Sequence, residues 1–351
     1  MTTKIRLDRI ASSTRNARLG PEVLLGPNIV CRDGYVLAVR VLGDKAVYNL
    51  VEDPSGRFIR LRAGDVLAGV LGSRRALRGY AGEVPERLDP GDTVQVLNMG
   101  GVLGRCTAIN PDLGPPFDAE VLGAVLAFPK TGDRIGTPAH IRDNAIASAS
   151  GLEGSAPIVA VVGTCMDAGK TMAAAEIVRG LARAGRRVGG LKLTGVSLRR
   201  DALAMLDAGA GAALTFNDAG MVSTDESAAL ATAYALVNEL ERVAHPDVIV
   251  AEFGDGILGE YGVAALLSDR ALMSRVRSLV CCAPDQVASW GAVRVLEERF
   301  ELRPTVISGP ATDNEVGCRF IREQLGLPAH NARRGDGELA RVVMESLDAG
   351  R

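Results

Sequence analysis

The chain has 351 residues, of which 47% are apolar and 23% charged, with a formal net charge of -2. This length is more than one core economically supports, which predicts two domains, and the composition excludes a disordered chain. The near-neutral charge gives no long-range field for nucleic acid or an anionic membrane, and no run reaches the roughly eighteen apolar residues of a membrane helix.

The opening residues, MTTKIRLDRIASSTR, lack the apolar middle of a secretory signal, so a cytoplasmic location is expected. The cysteines (Cys31, Cys106, Cys165, Cys281, Cys282 and Cys318) make no C-x-x-C ligand spacing, which fits reduced thiols better than disulfides or zinc. From residue 29 to residue 128 short apolar segments alternate with turn signals: YVLAVRVL, AVYNLVE, RFIRLRAGD, TVQVLNMGG and VLGRCTAI. Their lengths and the Gly, Asp and Pro between them predict a small antiparallel barrel or sandwich. DAEVLGAVLAF reads equally as a strand or a short helix.

ASASGLEGSAP has the small, Gly- and Ser-rich composition of a linker, and Pro157 marks entry to a new strand. The boundary is therefore expected near residue 152, giving a β-rich domain over 1–151 and a second domain over 152–351. PIVAVVG is an apolar strand, TMAAAEIVRGLARAG a helix ending at Gly185, and RRVGGLKL the next strand. DALAMLDAGA is a short helix, AALTFND a strand and DESAALATAYALVNELERVA a long helix. DVIVAEF, SLVCCA and PTVISG follow as strands, with QVASWGAVRVLEERF and NEVGCRFIREQLG as helices. Near-continuous apolar strands separated by helices predict an α/β domain with a doubly wound, mostly parallel sheet in three layers.

The central feature is VAVVGTCMDAGKTMAAA, a buried strand running through a tight loop into an Ala-rich helix. A phosphate needs converging backbone N–H donors with no side chains in the way, and a loop entering a helix amino terminus supplies them. The nucleotide-binding stretch is Gly163, Thr164, Cys165, Met166, Asp167, Ala168, Gly169, Lys170, Thr171 and Met172. Lys170 offers an ammonium to the outer phosphates and the Thr171 hydroxyl is placed for magnesium, as in a Walker A loop. The spacing departs from G-x-x-x-x-G-K-[ST]: Thr164 stands where the first glycine is usual.

This run resembles the G-T-x-x-x-x-G-K-T loop of dethiobiotin synthetase and of the related cobyrinate-type amide synthases. Three further segments resemble that branch of the P-loop NTPases in order: LKLTG with Lys192, Arg200-Asp201-Ala202, and AEFGDG with Glu252. The resemblance covers residues 157 to 260 and implies Lys192 beside substrate and phosphates. It also implies that Asp201 and Glu252 are carboxylates on the metal side. Departures include Leu193 where the family has proline, and Phe253-Gly254-Asp255-Gly256 where it has G-A-G-G. No counterpart of the β-rich domain exists in dethiobiotin synthetase, so its substrate, diaminopelargonic acid, is not expected here.

These residues suit phosphoryl transfer, in which the protein mainly positions groups and neutralises charge. Lys170, Lys192 and Glu252 are the candidate catalytic residues, and Thr171, Asp201 and Glu252 the candidate magnesium ligands. Each has an ordinary alternative. Lys192 could be a solvated strand-end charge, Asp201 a helix N-cap, and Asp255 a turn residue. Asp167 could orient a substrate ammonium or metal-bound water, or simply cap the loop. Asp218 and Glu260 are the substitutes for the metal positions. His140, His245 and His330 are widely separated and make no histidine site.

With no N-K-x-D segment, ATP is the expected nucleotide, and SGPATDN (308–314) either contacts base or substrate or is a plain βα loop. The leading expectation is an ATP- and magnesium-dependent ligase or kinase that activates a small acidic metabolite. The alternative is a switch ATPase or GTPase that drives assembly or delivery of a protein partner. Family resemblance implies a homodimer.

Overall fold

In the computed structural model, which describes residues 2–129, 132 and 135–349, the first part of the chain is built from short strands. They are β1 (Thr3–Arg6), β2 (Arg9–Ile10), β3 (Glu22–Gly26), β4 (Val36–Val41), β5 (Leu50–Glu52), β6 (Phe58–Arg60) and β7 (Val66–Leu71). β8 (Arg74–Arg75), β9 (Tyr80–Glu83), β10 (Thr93–Val96), β11 (Val102–Ile109), β12 (Phe117–Ala127) and β13 (Thr137–Pro138) follow. The ambiguous DAEVLGAVLAF segment is therefore strand, and β12 is long enough to pair with β10, β4 and β3 along its length. The pairings β12–β4, β4–β7, β7–β11, β11–β10 and β10–β12 return to their starting strand, so the sheet closes on itself. Closure leaves these five strands without a free edge.

The expectation of a purely antiparallel arrangement needs correcting, because β7 pairs in parallel with both β11 and β2. A parallel pair needs a long crossover, and the chain through β8, β9 and β10 supplies it between β7 and β11. Leu37, Val39, Leu67, Leu71, Val94 and Leu103 fill the core with almost no exposure.

The chain divides into two compact units: Met1–Ile146 with Val196–Arg199 and Asn217–Ser223, and Ala147–Gly195 with Arg200–Phe216 and Thr224–Arg351. Two short stretches from the later sequence thus belong to the amino-terminal unit. Buried amides hold them there. Asn98 Nδ2 donates to Ser197 O at 2.9 Å, Asn16 Nδ2 to Asn217 O at 2.8 Å, and Asn217 Nδ2 to Ser13 O at 3.2 Å. Val222 joins the apolar core of the same unit beside Val102 and Ile141.

The carboxy-terminal unit contains the parallel strands β14 (Ile158–Gly163), β15 (Val188–Thr194), β16 (Ala212–Thr215), β17 (Val248–Phe253), β18 (Val276–Cys282) and β19 (Val306–Ser308). Their order is β16-β15-β17-β14-β18-β19. Around them run α1 (Lys170–Arg183), α2 (Arg200–Asp207), α3 (Ala229–Ala244), α4 (Val263–Ser268), α5 (Arg270–Ser274), α6 (Gln286–Phe300), α7 (Glu315–Phe320) and α8 (Glu338–Ala349). A Cβ on Gly189 would meet Leu240 of α3, whereas one on the next residue, Gly190, would meet Met205 of α2. Successive strand residues point to opposite faces, so helices cover both sides of the sheet and the unit has three layers. Ile177 and Leu181 of α1, Met205 of α2, and Leu339 and Val343 of α8 share one core with Val159, Val161 and Val250.

The expected linker is more ordered than its composition suggests. Asn238 of α3 donates to Gly151 O and accepts from Glu153 N, while Ser155 N donates to Glu241. Backbone groups that would face water in a flexible linker are instead paired with one helix. Among the described residues, no helix is long and apolar enough to cross a membrane.

Candidate functional site

β14 is buried on all its residues and delivers the chain to a loop that re-enters the fold as α1 at Lys170. Ala173, Ala174, Ile177, Val178 and Leu181 give α1 one apolar stripe, which docks its first turn against the sheet end. Gly169 stands before the helix at φ 97°, in left-handed backbone that a side chain disfavours, and no side chain caps the helix start. The first N–H groups of α1 therefore point into the loop without an internal partner. Asp167 is also left-handed, at φ 62°, and its side chain is exposed.

The sequence-predicted loop residues take distinct positions. Gly163 lies where a Cβ would come within 3.0 Å of Lys170 Cγ, so its bareness lets that side chain fold back across the strand end. Thr164 N donates to Cys282 O, Met166 is half-buried, Ala168 is buried, and Met172 is 47% exposed. Cys165 packs against the main core, and its carbonyl accepts from Lys170 Nζ at 2.7 Å. Burial, and next the nearby Lys192 ammonium, push the Lys170 pKa below that of an ordinary lysine.

Strand pairing assembles the second part of the site. Lys192 on β15 and Glu252 on β17 are register partners, and Lys192 Nζ lies 2.5 Å from Glu252 Oε1. The register slips immediately afterwards, between Lys192 and Thr194, so Leu193 sits in a bulge. Asp201, the second residue of α2, places Oδ2 2.7 Å from the same ammonium. Thr171 Oγ1 is 3.1 Å from both Asp201 Oδ1 and Glu252 Oε1.

Lys170, Thr171, Lys192, Asp201 and Glu252 are thus brought together at the carboxyl ends of three strands. Two of the ordinary alternatives fail. Lys192 is buried between carboxylates rather than solvated, and both oxygens of Asp201 are engaged by Thr171 and Lys192 rather than by helix N–H groups. Burial opposes the Lys192 charge, but Asp201 and Glu252 outweigh it and raise the lysine pKa. Burial likewise opposes ionisation of Asp201, and Lys192 overturns it, holding that carboxyl below its usual range.

A hard divalent cation suits this donor set of one hydroxyl and two carboxylates. Glu252 Oε2 is buried without a hydrogen-bond partner among the described residues, an orphan that a cation or its water would satisfy. No group of three or more His, Cys, Asp or Glu able to hold a metal occurs among the described residues.

The remaining candidates lie elsewhere or serve the loops. Asp218 belongs to the amino-terminal unit, where Arg15 Nη1 donates to it at 2.7 Å, and Glu260 is an exposed residue on the stretch before α4. Asp255 is left-handed at φ 74°, and burial raises its pKa. His140 is half-buried against Asp33 O, while His245 closes α3 and His330 follows β19.

The SGPATDN stretch packs on the phosphate loop through Gly309. This glycine has φ 88°, and a Cβ on it would fall 2.2 Å from Ala168 O and 2.9 Å from Ala283 O. Buried Asn331 holds that turn by donating to Thr312 Oγ1 and Asp313 Oδ1. Sequence reasoning missed Asn331 because nothing in HNARR marks it, whereas the Gly-Pro pair was a readable signal for the turn at Gly309.

No family model matches the sequence, and no curated protein matches it. Among solved structures, the signal recognition particle receptor FtsY from Elizabethkingia anophelis is 10% identical with a TM-score of 0.38, over 57% of this chain and 68% of that one. The signal recognition particle 54 kDa protein from Aeropyrum pernix, in complex with GDP, is 19% identical with a TM-score of 0.36, over 56% of this chain and 50% of that one. The hydrogenase maturation factor HypB from Archaeoglobus fulgidus is 15% identical with a TM-score of 0.33, over 54% of this chain and 88% of that one. The chain thus spans half to about two thirds of the first two. On its own strand order, covered sheet faces and loop geometry, the carboxy-terminal unit has a P-loop NTPase-like fold.

Proposed function

We propose that the carboxy-terminal unit binds a nucleoside triphosphate with magnesium and transfers its terminal phosphoryl group to a small acidic acceptor, as a ligase or kinase. One observation carries this reading: the Thr171 hydroxyl and the Asp201 and Glu252 carboxylates converge beside two buried lysines at the mouth of an uncapped helix. The open N–H groups of α1 and the Lys170 ammonium would cradle the outer phosphates. Thr171, Asp201 and Glu252 would hold the ion, directly or through water. When bound, the ion would neutralise charge on the phosphates. Lys192 would face the terminal phosphate and the acceptor carboxylate, consistent with the resemblance to dethiobiotin synthetase. ATP is the default nucleotide.

Lys170→Ala should lower triphosphate affinity by roughly a hundredfold or more, the ~3 kcal/mol expected when a buried charge partner is lost. Calorimetry with ATP and GTP in magnesium checks this, and unchanged affinity would reject the reading. Because the free-state pKa of Lys170 is depressed, its ammonium is lost as pH rises before an ordinary lysine's 10.5 is reached. Wild-type affinity should therefore begin to fall at a lower alkaline pH than a normal lysine would give.

A second reading is a switch NTPase that drives a protein partner. The chain path favours it: Val196–Arg199, which belongs to the amino-terminal unit, ends two residues before Asp201. In that unit the Arg199 amide donates to Glu52 Oε2 at 2.7 Å. Turnover stimulated by pooled metabolites supports the enzyme, whereas turnover stimulated by a protein fraction supports the switch.

A further inference from the structure

Lys192 is where the site's chemistry departs from that of a ready-made metal centre. Its ammonium lies 2.7 Å from Asp201 Oδ2 and 2.5 Å from Glu252 Oε1, so it already supplies the positive charge that these carboxylates need. The Thr171 hydroxyl cannot replace it. It lies 3.1 Å from an oxygen of each carboxylate but has one proton, so it can donate to only one of them at a time. Without Lys192, two buried like charges would be left with this hydroxyl and with the exposed Arg200, whose Nε lies 3.5 Å from Asp201 Oδ1.

We propose that Lys192 is a built-in counter-ion that keeps a divalent cation off Asp201 and Glu252 until the oxygens of a triphosphate arrive to take its ammonium. This inference rests on the phosphoryl-transfer reading and deepens it, because it makes metal binding conditional on the nucleotide. The charge balance supports it. Among the buried side chains of the site, the charges of Lys170 and Lys192 already balance those of Asp201 and Glu252, so a divalent cation alone would leave these buried groups with excess positive charge. A triphosphate brings the missing negative charge and gives Lys192 a new partner.

A Cβ on Gly254 would stand 2.7 Å from Lys192 Cε and one on Gly195 3.8 Å from it, so two bare glycines flank the side-chain stem. The second lysine adds to the barrier. Lys170 is buried in the same site, and a bare dication would enter against both ammonium groups. Lys192 in turn sits between its two carboxylates, where an incoming cation would have to displace it.

The test is a titration of the full chain with Mn2+, followed by electron paramagnetic resonance, without nucleotide and with the β,γ-imido analogue of ATP. In wild type, Mn2+ should bind weakly alone and much more tightly with the analogue. Lys192→Gln should bind Mn2+ without nucleotide roughly tenfold or more tightly than wild type, so that the analogue adds much less. Lys192→Arg, which keeps the cation, should behave like wild type.

If Lys192→Gln gains no Mn2+ affinity while wild type still takes up Mn2+ with the analogue, the counter-ion role is overturned and the phosphoryl-transfer reading stands. If wild type takes up no Mn2+ even with the analogue, both fail. Should the glutamine variant not fold by circular dichroism, wild type and Lys192→Arg decide: tight Mn2+ binding without nucleotide in either overturns the proposal.

Discussion

The buried asparagines of the amino-terminal unit answer mainly to the backbone, whereas Thr171, Lys192, Asp201 and Glu252 at the phosphate loop answer to one another. Asn16 donates to the carbonyls of Ile141 and Asn217, and Asn98 donates to that of Ser197 while accepting from Val102 N. Those carbonyls and amides are held by the chain itself, so neutral amides bonded to them lock two distant stretches of sequence in place. Thr171, Lys192, Asp201 and Glu252 instead form a cluster of side chains around a single shared lysine, with Glu252 Oε2 left over. A cluster whose partners are side chains can exchange them for a ligand without unfolding the backbone, and under the proposed function the orphaned oxygen is where that exchange would occur. The first arrangement builds structure and the second stores a capacity to bind.

The contrast can be broken at several points. Gly309→Ala should have the largest effect, because it forces a Cβ to within 2.2 Å of Ala168 O at a backbone φ of 88°. A loss of roughly 3 kcal/mol in urea unfolding is expected, together with weakened triphosphate binding, since the phosphate loop must move. A loss below about 1 kcal/mol would mean that the loop is softer than its packing implies.

Asn217→Ala comes next. It removes the donor to Ser13 O and Ser197 Oγ inside the amino-terminal unit and should cost ~2 kcal/mol by leaving buried acceptors unpaired. Triphosphate affinity should stay unchanged if the network is purely structural. A large change in that affinity would instead favour the switch reading, because the two polar systems would then be coupled.

The smallest effect is expected at the surface pair Arg187 and Asp247, on the carboxy-terminal unit. Arg187, through its side chain and then its backbone N–H, brings the Asp247 pKa down to about 2 from 3.8. A depressed carboxyl contributes stability that is present above 3.8 and lost as pH falls through about 2. In Arg187→Ala, the Asp247 carboxyl resonance should titrate nearer 3.8, with the thermal midpoint at neutral pH almost unmoved because the pair is exposed. A clear drop in that midpoint would show that solvent screens this pair less than its exposure suggests.

Much of the carboxy-terminal unit was legible because its signals are local. PIVAVVG is apolar at every position except its closing glycine, and GKT opens a helix with an apolar stripe, so strand, loop and α1 follow from period and spacing alone. The resemblance carried Lys192, Asp201 and Glu252 to a common site, and their side chains do meet. Less was legible in the amino-terminal unit. Its short strands were recognisable, but their pairing partners were not, because a run of alternating residues carries no label for its neighbour. The parallel pairing of β7 with β11 and the strapping of residues 151–155 to α3 both depend on contacts distant in sequence. Asn331 was invisible for the same reason: an asparagine in a loop acquires a role only from the turn folded against it.

The sequence by itself determined that a buried strand runs into a glycine-bearing loop and an Ala-rich helix, since hydrophobic period, bare backbone and a Lys-Thr pair act over a few neighbouring residues. Only the tertiary structure decided that Val196–Arg199 and Asn217–Ser223 join the amino-terminal unit and that one lysine bridges two carboxylates. Strand register and amide pairing between remote segments govern both outcomes, and neither leaves a trace in the order of adjacent residues.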